Sequence, residues 1–160
     1  MTAADRPTIC LVMIVRDEAH IIEEGLSSLV HLIDRWVVVD TGSTDSTMDV
    51  VRSFFDRHGV PGELQERPWV DFGTNRSQAM ELAYGKADYS WVFDADDVVE
   101  GDLDLSGLDA DAHQLRFGPD LTFWRTQIFR SDQPWRYEGV LHEYPVLDGE
   151  PARIERVEGD

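Results

Sequence analysis

Positive charge is scarce in this chain. Its 160 residues carry 14 Lys+Arg against 32 Asp+Glu, a formal net charge of -18. A surface this acidic repels phosphodiester backbones and anionic membranes, which excludes general nucleic-acid binding. Any anionic small ligand would need a local arginine or a bound cation. Cysteine is nearly absent: Cys10 is alone, so no internal disulfide is possible, and its place in an apolar run makes it a small buried hydrophobe. No apolar run is long enough for a membrane span. The longest, Ile9 to Val15, falls far short of roughly 20 residues. It is too weakly flanked by positive charge for a signal peptide, and Arg16-Asp17-Glu18 stands where a small-residue cleavage site would be, so the cytoplasm is the expected location. The Walker phosphate loop and the GxGxxG fingerprint are missing, and so is HExxH, because Val146 occupies its last position. Apolar material is plentiful: 42% hydrophobic and 10% aromatic residues exclude disorder, and the length suits a single domain.

After a loose tail over 1–7, Thr8 to Val15 reads as a strand buried on both faces. A helix is expected from Asp17 or Glu18, because Ile22, Leu26, Leu29 and Ile33 recur on one face. Arg35 to Val39 is a second buried strand. A helix with Val50, Val51, Phe54, Phe55 and His58 on one side follows, ending at His58-Gly59. Glu63 to Arg67 is a short strand, Phe72-Gly73-Thr74 leads into a helix with Ala79, Leu82 and Ala83 inward that closes near Gly85, and Tyr89 to Phe93 is a fourth strand. The order βαβαβαβ predicts a mainly parallel sheet with ligands at the carboxyl ends of its strands. Beyond an acidic loop over 101–111, Ala112 to Phe117, Leu121 to Arg130, Tyr137 to Val146 and Arg153 to Val157 read as strands of a small, antiparallel C-terminal part. Residues 8–100 thus form an α/β half and 101–160 a β-rich half of the same domain.

Four polar constellations fall at or near those strand ends. In Asp94-Ala95-Asp96-Asp97, strand alternation would place Asp94 and Asp96 on one side, about 7 Å apart. Neighbouring carboxylates without a basic residue repel each other, and Mg²⁺ or Mn²⁺ would relieve that; the plain alternative is an acidic turn. In Val37 to Thr47, Asp40 ends a buried strand, where its carboxylate can accept from a base N–H or a ribose hydroxyl. Ser43 to Asp45 read as caps of the next helix, a role that does not require Asp40. Arg76 falls early in a helix, where spare N–H groups favour an anion such as a diphosphate; a surface pair with Glu81 or Asp71 is the plain alternative. In Trp135 to Glu143, His142 offers a metal ligand and Glu143 a general base. On a regular strand these two neighbours point to opposite faces, so only one of them could serve.

Together these segments resemble family 2 glycosyltransferases, which have the GT-A nucleotide-sugar-binding fold. MIVRDEAHIIEEGLSSL is similar to the family's MIVKNEE strand and helix, VVVDTGSTDST to VVVDDGSTDGT, FGTNRSQAMELA to its F-x-x-x-RN-x-A-L segment, and FDADD to its Asp-x-Asp motif. WRYEGVLHE resembles a pattern of a subgroup that often carries helical repeats further on. The resemblance spans roughly 8 to 144. It implies a metal-dependent transfer of a sugar from a nucleotide-diphosphate sugar, a UDP-sugar first, to an acceptor hydroxyl, with inversion. It further implies that Val15, Asp17, Asp40 and Thr41 hold the nucleoside, that Arg76 contacts the diphosphate, and that Asp94 faces the ribose or a metal-bound water. Asp96 would ligate Mn²⁺ or Mg²⁺, with Asp94 and His142 as further ligands, and Glu143 would be the base. Two departures stand out: Thr41 replaces the second Asp of VVVDD, and the Glu-Asp pair that usually supplies the base is missing. The rival readings are a nucleotidyltransferase, although RDEAH lacks the expected glycine-rich loop, and a non-catalytic nucleotide- or metal-binding module.

Overall fold

A computed structural model describes residues 6–149 and 151–158; residues 1–5 of the expected tail lie outside them. At its centre β1 (Ile9–Val15) runs parallel to both β2 (Arg35–Asp40) and β4 (Tyr89–Val92), and β3 (Gly62–Glu66) lies parallel to β2 at the edge. All of β4, and all of β2 beyond Arg35, is buried, which is why both read as unbroken apolar runs. Alternation sends Ile9, Leu11 and Met13 to one face and Cys10 and Val12 to the other. The first face is covered by α1 (Ile22–Leu29) and α2 (Thr47–His58), through Leu26, Leu29, Phe54 and Phe55. Burying each of these side chains stabilises the fold by about 1.5–3 kcal/mol. The second face is covered by α3 (Phe72–Ala83), through Ala79, Met80 and Ala83. Cys10 is packed against this layer, and burial pushes its thiol up to about 12, so it stays protonated and inert.

α1 begins at Ile22, where its apolar spacing begins, and not at Asp17 or Glu18 as expected. Asp17 adopts a left-handed φ of 51°, and its Oδ1 accepts the backbone N–H groups of Thr44 (2.7 Å) and Asp45 (3.2 Å). That segment ties two strand ends together before a helix can start. α2 ends as expected at Gly59, whose φ of 67° lets the chain reverse.

The C-terminal strands are largely antiparallel, as expected, and three of them extend the main sheet. β5 (Ala112–Phe117), β6 (Phe123–Arg130) and β9 (Ile154–Arg156) continue the main sheet, in the order β3-β2-β1-β4-β6-β5-β9. β6 is antiparallel to β4 and β5, and β9 is parallel to β5. Only β7 (Arg136–Glu138) and β8 (Tyr144–Val146) form a separate antiparallel pair. The expected continuous strand from Tyr137 to Val146 is therefore broken. Gly139 takes a φ of 103°, and 139–143 is a loop. Among the described residues no helix is long and apolar enough to cross a membrane.

His113 in β5 gives the fold a pH dependence. It is buried, and its Nε2 accepts the Ala110 N–H at 3.1 Å, an arrangement that needs the neutral ring. Burial lowers its pKa below the ordinary 6.5. Below 6.5 the unfolded chain takes up a proton that the folded chain refuses. The stabilisation present above that pH is therefore lost as pH falls toward the folded value. Wild type and His113→Gln, melted at pH 7.5 and 5.5, are expected to differ in slope, the variant losing less stability on acidification. Equal losses would remove His113 from the acid response.

Candidate active site

Three strand ends meet at the carboxyl edge of the sheet. The Val15 carbonyl accepts both the N–H (3.0 Å) and the hydroxyl (3.2 Å) of Thr41, joining the ends of β1 and β2. Asp40 is 1% exposed, and its Oδ1 accepts from the N–H groups of Gly42 (2.9 Å) and Ser43 (2.8 Å). The turn therefore does depend on Asp40, contrary to the sequence reading. Its Oδ2 is buried without a partner among the described residues. An orphaned buried acceptor costs about 1–3 kcal/mol, which a ligand N–H or hydroxyl would recover. Ser43 does not cap α2: its hydroxyl accepts from the Asp17 N–H at 2.9 Å. Asp45 does serve that helix end, accepting the Thr47 N–H at 2.9 Å.

Past β4, Asp94 to Asp97 form a turn rather than a continued strand. The Asp97 N–H donates to the Asp94 carbonyl (3.0 Å), and the Asp94 N–H donates to Asp97 Oδ2 (3.2 Å). This turn, not strand alternation, gathers the carboxylates: oxygens of Asp94, Asp96 and Asp97 all lie within 4.8 Å of one another. The turn rests on α1. A Cβ on Gly25 would stand 2.5 Å from the Asp97 carbonyl, so helix backbone meets loop backbone there. Burial, then the charge of Asp94, raises the Asp97 carboxyl above its usual range. Burial, then the charge of Asp96, does the same to Glu18. An all-oxygen group with surplus negative charge suits Mn²⁺ or Mg²⁺.

On the other side of Asp94 stands Arg76. α3 is capped by Asp71, which accepts the Thr74 N–H at 2.6 Å, and Arg76 follows one turn into the helix, 7% exposed. Its Nε donates to Glu143 Oε1 (3.0 Å) and its Nη2 to Asp94 Oδ1 (2.5 Å), while its Cζ lies 5.8 Å from the centre of the Tyr137 ring. Neither Glu81 nor Asp71 takes it. Arg76 Nη1 and Glu143 Oε2 have no protein partner among the described residues. Glu143 lies on the 139–143 loop, so the strand geometry that set it against His142 does not apply. His142 is exposed and stands outside the three-carboxylate group.

The sequence reading missed Arg125 of β6, whose Nη2 is 3.5 Å from Asp94 Oδ2. No motif marks it; only the pairing of β6 with β4 brings it in. Arg76, Arg125, Tyr137 and Glu143 line a hollow of about 170 Å³. A larger cleft of about 540 Å³ opens on the Asp97 side, beneath residues 98–103.

The model of one protein family, glycosyl transferase family 2, matches residues 10–136. The chain belongs to that family. A TPR repeat-containing protein of Synechococcus elongatus is 36% identical to this family 2 chain over 90 residues, which are 56% of the chain and 20% of the relative. The chain thus spans about a fifth of that relative's length. Solved structures show its GT-A fold. The Staphylococcus aureus TarS fragment 1–349 superposes with a TM-score of 0.60 at 18% identity, over 78% of this chain and 47% of that one. A mannosyltransferase of Pyrobaculum calidifontis, in complex with GDP-Man and Mn²⁺, gives a TM-score of 0.51 at 26% identity, over 58% of this chain and 28% of that one.

Proposed function

We propose that this family 2 domain transfers a sugar from a nucleoside-diphosphate sugar to an acceptor hydroxyl, using Mn²⁺ or Mg²⁺. The observation that carries the reading is the junction at Asp94: a three-carboxylate group on one side, and on the other a buried arginine bridging Asp94 to Glu143. GDP-Man and Mn²⁺ in the mannosyltransferase complex support the same ligand class here. The donor side is residues 8–100 and the acceptor side 101–160.

Asp40 Oδ2, the orphaned acceptor, receives a donor group of the base or ribose, beside Thr41, Val15 and Asp17. Asp96 and Asp94 would hold the cation, with Asp97 adjoining. When bound, the cation supplies neutralisation of the departing diphosphate. Arg76 offers its open Nη1 to the same diphosphate while Nε and Nη2 fix Glu143 and Asp94. Glu143 is held by one carboxylate oxygen, and the other receives the acceptor proton as the new C–O bond forms and the anomeric C–O bond to phosphate breaks. With Glu143 on the face of the sugar opposite the departing diphosphate, the transfer would proceed with inversion. His142, expected as a further metal ligand, is exposed on the same loop and outside the carboxylate group, whereas the Arg76 contact supports Glu143 as the residue that faces the site.

Nucleoside-diphosphate release from UDP-GlcNAc, UDP-glucose or GDP-mannose with Mn²⁺, water serving as acceptor, tests this. Wild type is expected to turn over one of them. Glu143→Gln is expected to bind the same donor and Mn²⁺ yet turn over about 10²–10⁴-fold more slowly. Wild-type turnover in that variant would remove Glu143 from the mechanism. A chain that binds no nucleoside diphosphate with Mn²⁺ would overturn the whole reading.

A further inference from the structure

We propose that Gly73 and Ser77 are positioning residues that determine where the Glu143 carboxylate stands. The proposal rests on the reading of Glu143 as the base. Residues 73, 76 and 77 are spaced i, i+3 and i+4, so they share one face of α3. All three grip the same short segment. A Cβ on Gly73 would lie 2.4 Å from the Gly139 carbonyl oxygen and 3.4 Å from the Glu138 carbonyl carbon, so only glycine admits that backbone against the helix. The Ser77 hydroxyl donates to the Tyr137 carbonyl (3.0 Å) and accepts the Tyr137 N–H (2.9 Å). Tyr137 is the middle residue of β7 and sits opposite Pro145, which has no N–H to give. Ser77 thus satisfies both backbone groups of that residue from outside the hairpin. Between these two grips lies Arg76, under whose guanidinium the Tyr137 ring packs.

The loop that carries Glu143 leaves this clamp through Gly139. Its φ is 103°, and a Cβ there would stand 2.7 Å from the His142 carbonyl oxygen and 3.1 Å from the Glu143 Cα. The turn therefore folds back on itself with little slack, and a shift at its root is carried to its far end. The far end is Glu143, 3.0 Å from Arg76 Nε. Gly73 and Ser77 touch no group of the carboxylate triad. They act through the loop, which makes them positioning rather than catalytic residues.

The test uses the full chain as Ser77→Ala, Ser77→Thr and Gly73→Ala. Crystal structures and the hydrogen exchange of the Tyr137 amide report position. Nucleoside-diphosphate release from UDP-GlcNAc or GDP-mannose with Mn²⁺ reports function, beside Mn²⁺ affinity by calorimetry. In Ser77→Ala and Gly73→Ala the Glu143–Arg76 contact is expected to open and the Tyr137 amide to exchange faster. A displacement of about 1 Å is expected to lower kcat about 10²-fold, with the donor KM changed by less than about threefold. Mn²⁺ affinity is expected to stay at the wild-type value. Ser77→Thr keeps the hydroxyl and is expected to restore both contact and turnover. If Gly73→Ala does not fold, Ser77→Ala against Ser77→Thr decides alone. An unmoved Glu143 in Ser77→Ala overturns the proposal, and so does a displaced Glu143 with wild-type kcat where Glu143→Gln is inactive. If Glu143→Gln turns over normally, the base reading fails instead, and the positional claim stands or falls on the crystal structures and amide exchange.

Discussion

Asp96→Asn is expected to lose Mn²⁺ and nucleoside-diphosphate binding together while the metal-free protein remains as stable as wild type, or slightly more so. Asp96 is the exposed member of a group whose oxygens lie within 4.8 Å of one another. Asp94 is paired with Arg76 and Arg125, but Asp96 and Asp97 have no ion-pair partner among the described residues, so without a cation neutralising Asp96 relieves repulsion between like charges. With a cation the same charge becomes a ligand. Even supporting residues of metal sites are worth about 10–100-fold in affinity, and a direct ligand is expected to reach or exceed the upper end. The nucleotide is expected to fall with the metal, because a cation held at Asp96 would supply the positive charge that the diphosphate needs. Calorimetric titration of UDP and GDP, with and without Mn²⁺, reads this as loss of the metal-dependent part of the binding. Equal Mn²⁺-dependent affinity in variant and wild type would take Asp96 out of the site, and a large fall in metal-free Tm would make its role structural.

Arg76→Ala carries the largest expected cost to stability. The Arg76 side chain is 8% exposed, and its two partners, Asp94 and Glu143, are 26% and 16% exposed. Removing one partner from a buried ion pair leaves the other charge uncompensated, at about 3–5 kcal/mol. Because both carboxylates keep some contact with water and Asp94 keeps Arg125 at 3.5 Å, the lower end applies: about 3 kcal/mol, or a Tm lower by about 6–12 °C for a chain of this size. Arg76→Lys keeps the charge but replaces a planar fork with a single ammonium, which cannot meet two carboxylates in the same directions, so an intermediate loss is expected. Adding Glu143→Gln to Arg76→Ala is expected to recover part of the loss, because one stranded charge is then gone. A wild-type Tm for Arg76→Ala would show that Arg125 and solvent compensate the two carboxylates and that Arg76 does not organise them.

The layered core was legible because its signals are local. β1, β2 and β4 are runs of β-branched and aromatic residues, buried as such runs require, and α2 stops where its glycine stands. The polar residues were legible as types at the right edge of the sheet, but their contacts were not. Asp40 binding its own turn, and Arg76 reaching Glu143 across 67 positions of sequence, depend on how distant segments fold together. The alternation in Ala112 to Arg130 suits a separate sheet and an extension of the main one equally well, since the period is the same in both. The break at 139–143 did carry a signal: a glycine inside an apparent strand marks a turn or bulge. Arg125 carried none.

Asp40 has a consequence for how this pocket can change over time. One of its oxygens closes the 40–43 turn, and the other, buried without a partner among the described residues, is the one proposed to receive the nucleoside. The same side chain is thus mortar and doorway. A lineage drifting toward a different nucleoside cannot retune recognition at this position without also rebuilding the corner that holds β2 to its neighbours. On the proposed reading the same constraint falls on Thr41 and Asp17, which also tie strand ends together, so drift in base preference is channelled to residues further round the pocket while this corner is pinned by architecture.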